Sequence, residues 1–111
     1  MSRDKAVLLD MLTAAERIVE FRREMEWESF LEDAKTQSAI LHQLMVLGEA
    51  CKRLSQETRA LAPHVPWRLI AGMRDNLIHG YDDVDLEEVW KTVERDMPVL
   101  IGQLLLVMEA G

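Results

Sequence analysis

The sequence predicts an all-α fold, a bundle of four to five main helices. Three observations carry this. Apolar residues recur at helical spacings of three and four along most of the chain. The apolar content is mainly Leu, Ala, Val, Ile and Met, and aromatics are only 5%, which favours helices over strands. Gly (5) and Pro (3) are scarce, so the breaks between helices are few.

The first helix is expected over about Arg3–Arg23. Val7, Met11, Ala14 and Ile18 form a stripe widened by Leu8, Leu12, Ala15 and Val19, while Asp10, Glu16, Arg17 and Glu20 mark the opposite face. Glu24 to Asp33 reads as a connection with one short helical turn. Its Trp27, Phe30 and Leu31 are spaced to form one apolar edge that plugs an end of the core. A second long helix is expected over about Lys35–Leu54, with Asp33 or Thr36 as cap. Ile40, Leu44, Leu47, Cys51 and Leu54 make its heptad-like row, and Leu41, Met45 and Val46 widen it. That surplus suggests a central position or a dimer interface. Gly48 in the row permits close helix approach. Glu49 and His42 on the same helix read as solvated or paired groups.

Ser55 to Trp67 holds a short helical piece and then Pro63-His64-Val65-Pro66, a rigid turn. The next helix is expected from about Trp67 to His79, with Trp67, Ile70, Met73 (or Arg74) and Leu77 in period, Pro66 just ahead of it and Gly80 suited to its C-terminal stop. Asp85 is the expected N-cap of a further helix, with Glu88 three residues on and Leu86, Val89, Trp90 and Val93 on one face. Pro98 is expected to break or kink the run near Met97. A last helix over about Val99–Met108 supplies Leu100, Ile101, Leu104 and Leu105.

At 111 residues the chain is expected to form a single domain, 1–111, with room for a core. Its 49% apolar and 30% charged residues fit a folded soluble protein. The net charge of −7 argues against a general basic coat for nucleic acid but leaves room for a local positive site. A single Cys51 permits no intrachain disulfide and reads as a small buried hydrophobe. The N-terminus lacks a signal-peptide layout, and the longest apolar region, Val99 to Met108, is too short to span a bilayer. The expected location is the cytoplasm, with no membrane partner. His42, His64 and His79 are dispersed without ligand-like spacing, so neither a metal nor another cofactor is expected.

The stretch with the densest chemistry is Arg74-Asp75-Asn76-Leu77-Ile78-His79-Gly80-Tyr81. Arg74 is a planar, permanent cation suited to phosphate. Asp75 and Asn76 lie four and three residues before His79 and can reach its imidazole or the approach to it. An Asp-oriented His is a sound acid–base unit, and a helix C-terminus favours its protonated form. Arg74 and His79 are five residues apart, about 140° of rotation in an ideal helix. They converge only if His79 sits at a frayed helix end or if two copies meet across a dimer axis. Arg, His and Tyr together suit phosphodiester chemistry without a metal. By residue type alone, an ordinary structural role is the stronger reading: an ion-paired Arg74, a helix-capping His79 and a packed Tyr81.

The order Arg, four residues, His, one residue, Tyr resembles the signature of the HEPN superfamily, and the chain is more specifically similar to the HepT-like toxins. The resemblance extends beyond the motif. Lys35-Thr36-Gln37, Gly48-Glu49-Ala50, Val65-Pro66-Trp67, Val84-Asp85-Leu86 and Val89-Trp90 resemble family blocks in the right order, as does Asp96-Met97-Pro98 with Met in place of Leu. Together they cover about residues 4 to 105. Asp82-Asp83 departs from the usual aromatic-plus-Gly pair and adds negative charge beside the motif.

This resemblance implies a HEPN-like helical homodimer whose two Arg–His motifs face each other in a cleft. It implies a metal-independent endoribonuclease acting on RNA, paired with a minimal nucleotidyltransferase antitoxin that silences it by transferring AMP to the motif Tyr. Arg74 and His79 would then be the catalytic pair, Asp75 and Asn76 supporting residues and Tyr81 the adenylylation site. A different class of function is a non-enzymatic helical dimer that binds nucleotide through Arg74 or scaffolds a nucleotidyltransferase. A nucleic-acid-binding regulator fits least, given the charge and the lack of a basic stripe.

Overall fold

The computed structural model describes residues 2–73, 75 and 84–110. They form helices joined by short turns, with no strand among the described residues. In order these are α1 (Ser2–Arg22), α2 (Trp27–Glu32), α3 (Ala34–Lys52), α4 (Gln56–Ala60), α5 (Trp67–Ala71), α6 (Leu86–Lys91), a π-helical segment (Thr92–Asp96) and α7 (Met97–Ala110).

The two long stripes meet as their spacing requires. Met11, Ala14, Ala15 and Ile18 of α1 are buried with Ile40, Leu44, Leu47, Ala50 and Cys51 of α3. Burying each of the larger side chains stabilises the fold by roughly 1.5–3 kcal/mol. Besides α1, α3 contacts α2 and α5, and α1 also packs on α7. Of the residues that widen the apolar surface of α3, Leu41 and Val46 are partly buried against the core.

Local chemistry places the helix ends. Asp33 starts α3: its Oδ1 accepts from the Thr36 backbone N–H at 3.0 Å and its Oδ2 from the Thr36 hydroxyl at 2.7 Å. These two donors hold the Asp33 carboxyl below its ordinary pKa, the backbone N–H contributing most. Ser55 caps α4 by accepting from the Thr58 N–H at 3.2 Å. Asp85 caps α6 by accepting from the Glu88 N–H at 3.2 Å. Glu24 ends the turn after α1 with φ of 65°, the left-handed conformation that a Gly would adopt more easily.

Two expectations require correction. Pro98 does not break the last helix. Proline has no N–H for the carbonyl four residues earlier, and its ring crowds that carbonyl. The chain widens instead into the π turn Thr92–Asp96, in which the Met97 N–H bonds to the Thr92 carbonyl five residues back. α6 thus runs through the π segment into α7 without leaving the helical path. The helix expected over Trp67–His79 stops as α5 at Ala71, where Gly72 forms a turn with its N–H directed to the Arg68 carbonyl at 3.0 Å. Met73 and Asp75 are again helical.

Leu31 and Leu105 do not join the core and are 45% and 47% exposed. α2 is one and a half turns long and buries only Phe30 fully. α7 is apolar on every side, so packing spends one face, Met97, Leu100, Leu104 and Val107, and leaves the other outside.

Candidate functional site

In the chain, residues 74–83 fall between α5 and α6, and both of these helices are anchored to the core. On their N-terminal side, Trp67 of α5 is buried, and its indole N–H donates to the carbonyls of Arg59 and Ala62, both at 3.0 Å. The Trp67 carbonyl accepts from the Cys51 thiol at 3.3 Å, and the Cys51 carbonyl accepts from the Arg59 guanidinium at 2.9 Å. α3, α4 and α5 are thereby tied into one unit where the sequence shows only a Pro-rich turn. Burial pushes the Cys51 thiol up from its ordinary pKa, against an opposing effect of Arg59, so it remains protonated at neutral pH and serves as a donor.

On the C-terminal side, Val84 packs against the core and the Asp85 cap starts α6. Val89 and Trp90 are then buried. The Trp90 ring lies 5.1 Å from Phe30 and 6.0 Å from Trp27 between centroids, and the Arg22 guanidinium sits 4.7 Å over it. Arg22 also pairs with Glu94 in the π segment at 2.9 Å. The expected plug at this end of the core exists, built from Trp27 and Phe30 with Trp90.

Of the predicted site residues, Asp75 is described: it is helical in backbone and exposed. Arg74, Asn76, His79 and Tyr81 lie outside the described residues, as do Leu77, Gly80, Asp82 and Asp83. Asp75 follows directly on the anchored α5 region. His42 and Glu49 line a concavity between α1 and α3 of about 550 Å³, together with Arg17, Arg53 and Asp10. His42 is exposed there, Glu49 pairs with Lys52 at 3.5 Å and Arg53 with Asp10 at 3.3 Å. Gln43 on the same wall is buried. This concavity carries balanced charge and paired groups rather than a catalytic set. Among the described residues no group of three His, Cys, Asp or Glu side chains is placed to hold a metal ion. Among them, too, no helix is long and apolar enough to cross a membrane.

Sequence reasoning missed one buried polar cluster. Asp4 accepts from the hydroxyls of Ser55 and Thr58, both at 2.5 Å, and from the Ser55 N–H at 3.4 Å. These donors hold its carboxyl below the ordinary range, Ser55 most strongly, and outweigh the opposing effect of burial. The signal was present: Asp4 occupies the helical period of Val7, Leu8 and Met11, where a charge needs a partner.

The all-α bundle formed by the described residues has the HEPN-like architecture. The chain belongs to the HepT-like ribonuclease family, whose description matches residues 11–107. A Thermococcus cleftensis protein named as a ribonuclease HepT is 46% identical over 99 residues, covering 89% of this chain and 90% of that one. A Methanocaldococcus jannaschii protein named as an RNase is 38% identical over 94 residues, 85% of this chain and 81% of its own length. Another so named, from Caldanaerobacter subterraneus, is 33% identical over 109 residues, 98% and 97% of the two chains. No solved structure matches the chain at a significant level.

Proposed function

We propose that this protein is a metal-independent endoribonuclease toxin, active as a homodimer and silenced by adenylylation of Tyr81 by a cognate nucleotidyltransferase. Family membership across residues 11–107, a span that contains the whole Arg74–Tyr81 motif, carries this reading. The relatives named as ribonucleases support it.

His79 acts as general base and takes the proton of a ribose 2′-OH, a group DNA lacks. The 2′-oxygen attacks the adjacent phosphorus, and Arg74 stabilises the charge that builds on the phosphoryl oxygens. The bond from phosphorus to the 5′-oxygen breaks. His79 of the partner subunit, protonated, returns a proton to that leaving oxygen. The products are a 2′,3′-cyclic phosphate end and a 5′-hydroxyl end. Asp75 and Asn76 support the imidazole and its approach. AMP on Tyr81 adds bulk and negative charge at the cleft, repels RNA and competes for Arg74.

The test uses protein shown by intact mass to lack added AMP, incubated with RNA in a chelator. Cleavage with cyclic-phosphate ends is expected, and His79→Ala should slow it by about 10²- to 10⁴-fold. RNA left intact by unmodified dimer would instead favour the non-enzymatic module that binds nucleotide or scaffolds a nucleotidyltransferase. The acidic Asp82-Asp83 beside the motif is the feature that favours that second reading.

A further inference from the structure

A groove of about 490 Å³ runs between α5 and the junction of the π segment with α7. On its floor Ile70, Met97 and Leu100 are buried, and Met73 is partly so. Leu69 and Val99 stand on its lips, 63% and 59% exposed. A large aliphatic side chain in solvent beside an apolar hollow gives this one face both a knob and a hole.

The face also carries unspent charge of both signs. Of the two carboxylates that line the groove, Glu88 pairs with Lys91 at 3.9 Å, but Asp96 does not share that cation. Arg68 is exposed directly before Leu69. Neither Arg68 nor Asp96 has an ion-pair partner among the described residues.

We propose that this face receives a second copy of the chain about a two-fold axis. Leu69 of each copy enters the groove of the other, and Arg68 of each pairs with the partner's Asp96. The inference rests on the homodimer of the proposed function and adds the surface that forms it. A two-fold contact needs a patch that is its own complement, so that residue i meets j and j meets i. Here the knob and the hole, and the cation and the carboxylate, lie on one face. A partner of a single charge sign matches one of Arg68 and Asp96 and repels the other, whereas a second copy matches both. The location suits the mechanism, because Met73 lines the groove and the motif begins at the next residue, Arg74. The apolar ridge farther along α7, Leu105 and Leu106, has no such pair, since Glu109 is the only charged residue of that helix. Leu106 is also seven residues beyond Val99, about 10 Å along the helix axis.

Sedimentation of the full-length protein over a range of concentrations reads the dimer Kd. Arg68→Glu alone sets carboxylate against carboxylate in both symmetry-related contacts, and Asp96→Arg alone sets arginine against arginine. Each should raise the Kd by about tenfold or more. Mixed in equal amounts, the two variants place the carboxylates of one chain against the arginines of the other in both contacts. The mixture should therefore dimerise at close to the parent Kd. A role of either residue within its own chain would not be rescued by mixing. Leu69→Ser should weaken the dimer, and Leu106→Ser on the farther ridge should not. All four positions are exposed, so the fold is retained in each variant. A parent dimer whose Kd is unmoved by the two reversals, or reversals that mixing fails to rescue, would overturn the proposal and leave the homodimer reading standing. A parent protein that stays monomeric while it cleaves RNA would overturn both.

Discussion

Asp4 stands in the apolar stripe of α1, and its surroundings explain how a carboxylate is tolerated there. Three donors from the start of α4 satisfy it, so the first turn of α1 is tied to a helix more than fifty residues away in sequence. Because its pKa is lower in the folded chain than in the unfolded one, its contribution to stability is present above the ordinary Asp value. It is lost as pH falls through the folded value. Asp4→Ala should therefore lower the melting temperature by several degrees at pH 7. The gap from the parent should close as pH drops below about 4, the ordinary Asp pKa. Thermal melts of both proteins across pH 2–7 check this, and a gap independent of pH would point to packing instead. At the motif itself, the expected loss of activity in His79→Ala belongs to this same scale, since one imidazole moves the proton.

Among the elements, α5 has the most to position, because the motif begins three residues beyond it. It is only five residues long, and its place is set by Trp67 rather than by helical propensity. Trp67→Phe keeps the ring but removes the donor to the Arg59 and Ala62 carbonyls. Both carbonyls keep a backbone donor, the Ala62 N–H and the Val65 N–H, so losing the indole hydrogen bonds costs about 0.5–1.5 kcal/mol. We expect denaturant unfolding to shift by that amount. Cleavage should fall further than stability alone explains, at temperatures where the variant is still folded, because the frame of Arg74 is loosened. The π segment is the second element with a consequence. By accommodating Pro98 it carries Asp96 and Val99 alongside α5 and turns Glu94 toward Arg22, and so shapes both the groove and the far side of the bundle.

For the whole molecule, the proposed mechanism needs two copies, since a single His79 cannot be base and acid in the same step. Cleavage per protein chain should therefore fall as the protein is diluted through the dissociation range of the dimer. Mixing His79→Ala chains with parent chains should give heterodimers of low activity. Sedimentation and initial rates measured over the same concentrations test this, and a rate per chain constant across dissociation would require a monomeric mechanism. The net charge of −7 bears on the same scale, because it disfavours RNA binding anywhere but at a local positive site.

Much of this was legible in the residues. The period of three and four in α1 and α3 fixed which side chains meet, because a long amphipathic helix has one way to bury its stripe. Asp33 and Asp85 announced their helices because a carboxylate ahead of an apolar run satisfies N–H groups that would otherwise lack partners. The ordered blocks around Arg74, His79 and Tyr81 identified the family. Other features are settled by contacts between distant segments, about which local pattern says nothing. α7 is apolar on all sides, so only packing against α1 could choose Leu104 over Leu105 for the core. Pro98 reads locally as a break, yet the chain stays helical and the mismatch is absorbed as a π turn. The tie from Asp4 to Ser55 and Thr58, the seat of Trp67 and the groove beside Met73 all join residues far apart in the chain. The sequence by itself determined the long helices α1 and α3, the Asp33 and Asp85 caps and the chemical motif, which depend on residues within a turn or two of one another. Tertiary structure decided which faces are buried in the core and which remain exposed, because burial is shared among helices and no single helix contains that information.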